Sequence, residues 1–313
     1  MGAHFSIALA GTLSLFAALA MAEPRTRLKV ALTFDDLPLN GTLATGAKQS
    51  DYARDTLAVF RKFKVPPSYG FINAAKLERN PDGALALKLW IAAGHPLGNH
   101  TYTHLDLTRN SAPDFEREIL LNEPALELLA AENAAPDAFR WFRYPYLHEG
   151  DTLEKRREVR AFLQNNGYRI AQTTLDWEDY LWNSAHARCV MKKDSASIQW
   201  LRASYLAAAR DFTRFQGENS RTVFGRDINH VVLLHLGSFS SHILPDLLGL
   251  LKAEGYELVT LEQAQSDPVY ETDPDFAEAH GGTLIELMMQ KKGIAWPADA
   301  PKLPRERLAS ICQ

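Results

Sequence analysis

The sequence predicts an α/β fold in which a parallel sheet closes into a barrel, and three observations carry that expectation. Short apolar runs of β type alternate with longer segments of helical spacing, the pattern of parallel strands joined by crossover helices. Seven such runs are present, at Leu28 to Thr33, Ser68 to Ile72, His95 to Gly98, Phe139 to Phe142, Arg169 to Thr174, His230 to Leu234 and Tyr256 to Leu261. Polar, reactive stretches stand at the ends of five of them, and in a barrel the carboxyl ends of all strands meet on one face.

The 313 residues suffice for one large core, since barrel domains commonly reach ~250 residues without splitting. The first segment is different in kind. Phe5 to Met21 is almost wholly apolar and uncharged, and Ala20-Met21-Ala22 places a small-x-small pattern ahead of Glu23 and Pro24. It reads as a secretory signal over 1–22, cut after Ala22, because the run is near or below the ~20 residues that span a bilayer. Export to a periplasmic or extracellular space follows, with no stable membrane insertion after cleavage.

The main domain is expected over 23–264 and a C-terminal extension over 265–313. Helix-like apolar periodicity runs through Tyr52 to Lys64, Ala84 to Ala93, Asp114 to Ala131, Leu153 to Asn166, Ser197 to Phe212 and Ser241 to Glu254. Two places break the regular beat. The connection from Glu178 to Asn229 is long for a βα unit even after its helix is subtracted, and such excess often forms a lid or substrate wall. Trp182, Lys192, Lys193 and Arg202 lie in it as candidates to meet a polar substrate, against the plainer reading of a solvated insertion. The extension carries a short helical stretch around Leu284 to Lys291 and then a Pro-rich run.

Net charge is -4, with no long block of either sign, so the chain lacks the basic footprint of a nucleic-acid binder. Cys189 and Cys312 would sit in an oxidising compartment after export, where one disulfide would staple the tail to the 178–229 connection. Two free thiols remain the other state that the sequence allows.

The reactive stretches are TFDD at Thr33 to Asp36, HTYTH at His100 to His104, RYPY at Arg143 to Tyr146, LDW at Leu175 to Trp177 and LLH at Leu233 to His235. His100 and His104, four apart, suit two imidazoles sharing one Zn²⁺ or similar borderline ion, although that spacing alone is common in structural pairs. Asp35 and Asp36 follow an apolar strand, where neighbours point in different directions. One carboxylate can therefore bind metal while the other serves as a general base. His235 ends an apolar run, where its pKa is open to tuning by nearby charge, and it suits a proton donor. Arg143 offers paired hydrogen bonds to a carboxylate, and Trp177 an apolar wall beside Asp176.

In this order the five stretches resemble the polysaccharide deacetylases of carbohydrate esterase family 4, the NodB homology domain, over about Leu28 to Leu261. The run GHPLGNHTYTH at Gly94 to His104 is similar to the family's second motif, with Pro96 at a position that is frequently acidic. The resemblance implies a distorted (β/α)7 barrel and hydrolytic N-deacetylation of an N-acetylhexosamine glycan, such as chitin fragments, peptidoglycan or an exopolysaccharide. It implies Asp35 as base, Asp36, His100 and His104 as ligands of a divalent ion, most often Zn²⁺ with Co²⁺ or another ion as alternatives, and His235 as acid. It further implies that Arg143 orients Asp35, that the Tyr146 amide helps hold an oxyanion, that Asp176 tunes His235, and that Trp177 and Leu233 line the acetyl pocket. One departure stands out: the acidic residue usual three positions before the aspartate of Asp-Trp is Thr173 here. An O-acetyl esterase or small-amide hydrolase of the same architecture is the main rival, and a non-catalytic glycan-binding protein a further one, though the latter fits poorly with an intact set of reactive groups.

Overall fold

The computed structural model describes residues 1–2, 28–131 and 139–313, so the expected signal segment falls outside the described residues. Seven strands are present among the described residues: β1 (Leu28–Leu37), β2 (Tyr69–Ile72), β3 (Leu97–Asn99), β4 (Trp141–Phe142), β5 (Arg169–Ile170), β6 (His230–His235) and β7 (Tyr256–Val259). The helices are α1 (Gln49–Phe63), α2 (Ala75–Arg79), α3 (Asp82–Ala92), α4 (Ala112–Ala131), α5 (Leu153–Asn165), α6 (Tyr180–Met191), α7 (Ser195–Phe224), α8 (Ser240–Ala253), α9 (Leu261–Ala264), α10 (Leu284–Lys291) and α11 (Arg305–Ser310). No helix among the described residues is long and apolar enough to cross a membrane.

Every strand pairing is parallel, in the order β5-β4-β3-β2-β1-β6, and the sheet curls into an incomplete barrel. Two features distort it. Val30 and Ala31 pair with both β6 and β7, so β7 occupies the edge of β1 opposite β6, ahead of the point where β2 takes over at Thr33. The pairing of β5 with β4 ends at Ile170, short of the Thr174 expected from sequence, and Leu175 then forms a bridge to Val232 of β6. The barrel is thus drawn together at its mouth by a single bridge.

Side-chain alternation sorts the strands into two faces. Val30, Leu32 and Phe34 join Phe142, Val232 and Leu234 in the large core beneath the helices, whereas Ala31, Tyr69, Phe71, Trp141, Ala171, Val231 and Val259 fill the barrel interior. The interior set continues two residues at a time toward the carboxyl ends. Ala31 leads to Thr33 and Asp35, Trp141 to Arg143, and Val231 to Leu233 and His235, so the same alternation that builds the core aims these side chains inward.

The long connection folds as α6 and α7 rather than as one helix in a loop. Helix α7 runs twelve residues beyond the expected Phe212 because Gln216, Asn219, Ser220 and Val223 are buried, and Val223 packs with Leu284, Ile285 and Met288 of the C-terminal extension. Tertiary burial outweighs the weak helix propensity of the Gly-Glu-Asn-Ser run. Cys189 and Cys312 form a disulfide that ties the tail to α6.

Candidate active site

The mouth of the curled sheet holds a pocket of about 700 Å³ lined by Asp35, Asp36, His100, His104, Tyr146 and His235 among others. Asp35 is buried at the end of β1, where Arg143 Nη1 stands 3.4 Å from both of its oxygens. The guanidinium is itself fixed, with Nε donating to Ala171 O (2.6 Å), Nη2 donating to Thr33 Oγ1 (3.0 Å) and its plane over the Phe71 ring. Burial pushes the Asp35 carboxyl up, and the charges of Arg143 and His235 offset only part of this, leaving it at about 6.

Asp36 turns the other way. Its backbone takes φ 66°, a left-handed conformation that costs a non-glycine residue energy, and its carboxylate faces Lys76 Nζ (3.0 Å), Asn40 Nδ2 (2.9 Å) and His104 Nε2 (3.6 Å). Although burial disfavours the charge, Lys76 and the nearby imidazoles hold this carboxyl far below the ordinary carboxylate range. Left-handed backbone recurs around the mouth at Thr101, His104, Tyr146, Leu147 and Glu178, which marks a site whose loops are bent to place particular groups.

Burial is the largest influence on both His100 and His104, and it lowers their pKa values so that the rings are neutral near pH 7. His100 Nδ1 lies 2.7 Å from Arg143 O, and a carbonyl only accepts, so Nδ1 carries the proton and Nε2 keeps a free lone pair. Asn73 clamps the same loop by donating to His100 O (2.7 Å) and Thr101 O (3.1 Å). One ligand atom from each of Asp36, His100 and His104 lies within 4.8 Å of the others. Tetrahedral ligands around one Zn²⁺ stand ~3.4 Å apart, so modest side-chain rotation would let the three share an ion. Two neutral imidazoles and one ionised carboxylate are a donor set that suits a borderline divalent cation.

His235 is oriented by a residue that the sequence reading missed. Asp179 Oδ1 lies 2.6 Å from His235 Nδ1, and Asp179 Oδ2 accepts from the His235 amide at 2.9 Å. Burial alone would lower His235, but the charge and hydrogen bond of Asp179, helped by Asp36 and Asp35, raise it to about 9. Asp176, the expected partner, accepts from Glu178 N (2.7 Å) rather than from the imidazole; burial raises its carboxyl to about 7 while that hydrogen bond and the nearby charge of His235 pull it down. The three-residue offset has a physical cause: Asp176 is engaged locally by the Glu178 amide, and Asp179, the residue directly before α6, is the carboxylate within hydrogen-bond reach of the imidazole.

Leu233 lines the pocket as expected, whereas Trp177 does not. Trp177 is fully buried in the large core, edge-on to Tyr205 of α7, whereas its neighbour Asp176 lines the pocket. Trp182, Lys192, Lys193 and Arg202 are also absent from the pocket wall; Trp182 is core and Arg202 pairs with Asp246. Glu178, Tyr180 and Phe212 are the parts of that connection that line the pocket, with Asp179 reaching His235 from behind the wall. Unexpected contributions come from the extension, through His280, Gly281, Gly282, Glu286 and Arg305. No sequence signal pointed to them, since their approach depends on where the tail folds back.

Residues 22–171 match the family described as polysaccharide deacetylase. The chain is 28% identical over 250 residues to a chitin deacetylase of Colletotrichum lindemuthianum, covering 76% of this chain and 79% of that one. It is 28% identical over 151 residues to a chitin deacetylase of Arthroderma benhamiae, covering 48% of this chain but only 35% of the relative's length. The crystal structure of a polysaccharide deacetylase from Bacillus cereus shares the fold at 20% identity, with a TM-score of 0.50 over 75% of this chain and 92% of that one. The family match takes in just under half of the chain, with the motifs at Thr33 to Asp36, His100 to His104 and Arg143 to Tyr146, and the chain is thus similar to the polysaccharide deacetylases in those motifs and in its curled α/β sheet.

Proposed function

We propose that this protein is a metal-dependent hydrolase that removes the N-acetyl group from an N-acetylhexosamine unit of a glycan, releasing acetate. The observation that carries this reading is the convergence of Asp35, Asp36, His100, His104 and His235 on one pocket, with a raised carboxyl and a raised imidazole side by side at the ends of the paired strands β1 and β6. A divalent cation held by Asp36, His100 and His104, most suitably Zn²⁺, would supply Lewis acidity, polarising the acetyl carbonyl and lowering the pKa of water.

The chain's own residues perform the proton transfers. Asp35, kept in place by Arg143, takes a proton from the attacking water as that oxygen adds to the acetyl carbon. The oxyanion that develops meets the Tyr146 amide, presented at the mouth by the left-handed turn after Pro145. His235, protonated at Nε2 while Nδ1–H stays bonded to Asp179, gives its proton to the departing nitrogen as the C–N bond breaks. The products are acetate and a free amine. Chitin, chitooligosaccharides and peptidoglycan are named by the relatives, and an N-acetylated exopolysaccharide would offer the same acetamido group.

The test is release of acetate from purified protein given N-acetylated glycans, O-acetylated xylan and simple amides, each with and without a chelator. Asp35→Asn should abolish turnover while the protein still binds stoichiometric Zn²⁺. Wild-type rates in that variant, or activity indifferent to chelation, would refute the mechanism.

A further inference from the structure

The pocket is walled by a part of the chain that the barrel itself does not require. The C-terminal extension lies across the loops that follow β3, β4 and β5. Thr108 Oγ1 donates to Ala279 O (3.2 Å), and Leu284 N donates to Thr173 O (2.8 Å). A Cβ built on Gly281 would stand 2.8 Å from the carbonyl oxygens of both Tyr146 and Leu147. The tail is therefore seated directly on these loops, and no ligand chain can pass between them.

Its other end is equally fixed. Arg305 pairs with Glu178 at the rim, and Arg188 of α6 donates to the carbonyls of Leu308 and Ile311 beside the Cys189–Cys312 disulfide. Gly282, Glu286 and Arg305 thus form a standing wall on the β4 and β5 side. The resulting volume, about 700 Å³, lies within the ~300–1,000 Å³ typical of pockets that enclose one small ligand.

Exposed aromatic rings point the same way. The apolar face of a pyranose packs on such rings, and two are offered here. Tyr146, 57% exposed, stands 4.4 Å from the His104 ring, and Tyr180, 39% exposed, stands 5.5 Å from the His235 ring. Both flank the reactive centre itself. Phe212, half-buried, is the one further Phe, Tyr or Trp of the wall among the described residues, and the other large exposed aromatic side chains, Phe63 and Trp296, lie outside it, so no row of exposed rings continues along an extended chain.

We infer that this site, on the deacetylase reading above, takes one terminal sugar unit of a glycan or short oligosaccharide and leaves the interior units of long chains untouched. The measurement uses N-acetylglucosamine oligomers of one to six units, with acetate quantified and the deacetylated position located by mass spectrometry after labelling the reducing end. The expected result is one free amine per chain at a single terminus, with kcat/KM changing less than about threefold from dimer to hexamer, whereas each further subsite of 1.4 kcal/mol in an open groove would add about tenfold. Interior deacetylation, or rates that climb steadily with length, overturns this inference and leaves the deacetylase reading standing. Absence of acetate from every oligomer, in protein shown to be folded and metal-loaded, overturns both.

Discussion

Asp179→Asn tests the proton inventory of the site, because it deletes one charge while nearly preserving shape. In the native protein His235 is held at about 9 by Asp179 against the opposing effect of burial. With the carboxylate gone, burial dominates, and the imidazole falls to or below its ordinary value of ~6.5. At pH 8 the protonated fraction drops from about nine tenths to about 3%, so the rate should fall about 30-fold, while the loss at pH 6 is slight. The alkaline limb of kcat/KM should accordingly move from near pH 9 to near or below pH 6.5. The stability ledger has the same sign. A folded pKa above the unfolded one contributes stability that is complete below ~6.5 and lost as pH rises through about 9, a swing of about 3 kcal/mol that the variant should lack. Profiles of kcat/KM and of the urea midpoint between about pH 5 and 10 read both effects. If the alkaline limb stayed near 9 in Asp179→Asn, or moved instead in Asp176→Asn, the assignment of the imidazole's partner would be wrong.

Three other perturbations have defined outcomes. Arg143→Met removes the nearest cation from a buried Asp35, so the acid limb of the pH profile should rise from about 6 by roughly 1–3 units; an unmoved limb would remove Arg143 from the account. Asn73→Ala releases the peptide oxygens of His100 and Thr101, and Zn²⁺ affinity measured by calorimetry should weaken by about 10–100-fold, as outer supports of metal ligands generally require. Replacing both Cys189 and Cys312 by Ser opens a cross-link between residues 123 apart, and urea unfolding should show a loss of about 5 kcal/mol, with a loss below ~1 kcal/mol contradicting the chain-entropy argument.

The sheet and the motif-bearing strand ends were legible in the sequence because period-two burial and a reactive residue leave local signals. Asp35, Arg143 and His235 extend the inward series of β1, β4 and β6, so knowing the strands was enough to know that these groups converge. The Asp179 contact had no such signal. It depends on Asp176 being engaged locally by the Glu178 amide and on α6 beginning directly after Asp179, so a partner three residues away from the expected one was selected by loop geometry. The same limit applies to Trp177, whose neighbour faces the pocket while it faces the helices, and to the tail, whose Gly281 matters only because the backbone of Tyr146 and Leu147 lies beneath it. The acidic side chain missing at Thr173 is also explained by tertiary structure. Thr173 Oγ1 donates to Val231 O and its carbonyl accepts from Leu284 N, so the position serves the bridge between barrel and tail.

The two adjacent aspartates show how backbone geometry divides chemical labour. Asp35 keeps the strand's alternation, points inward beside Arg143, and is dominated by burial, which leaves it a weak enough acid to exchange protons near neutrality. One residue later φ becomes positive, the pairing of β1 with β2 shifts register between Phe34 and Leu37, and Asp36 meets Lys76, Asn40 and His104, which hold it ionised. Exchanging the two environments would abolish both roles, since a carboxyl at about 6 competes poorly for a cation at mildly acidic pH and a strongly ionised one is a feeble base. The pairing of unlike pKa values on neighbouring residues is therefore produced by the end of β1 itself, and the proposed chemistry rests on that bend as much as on the identity of the side chains.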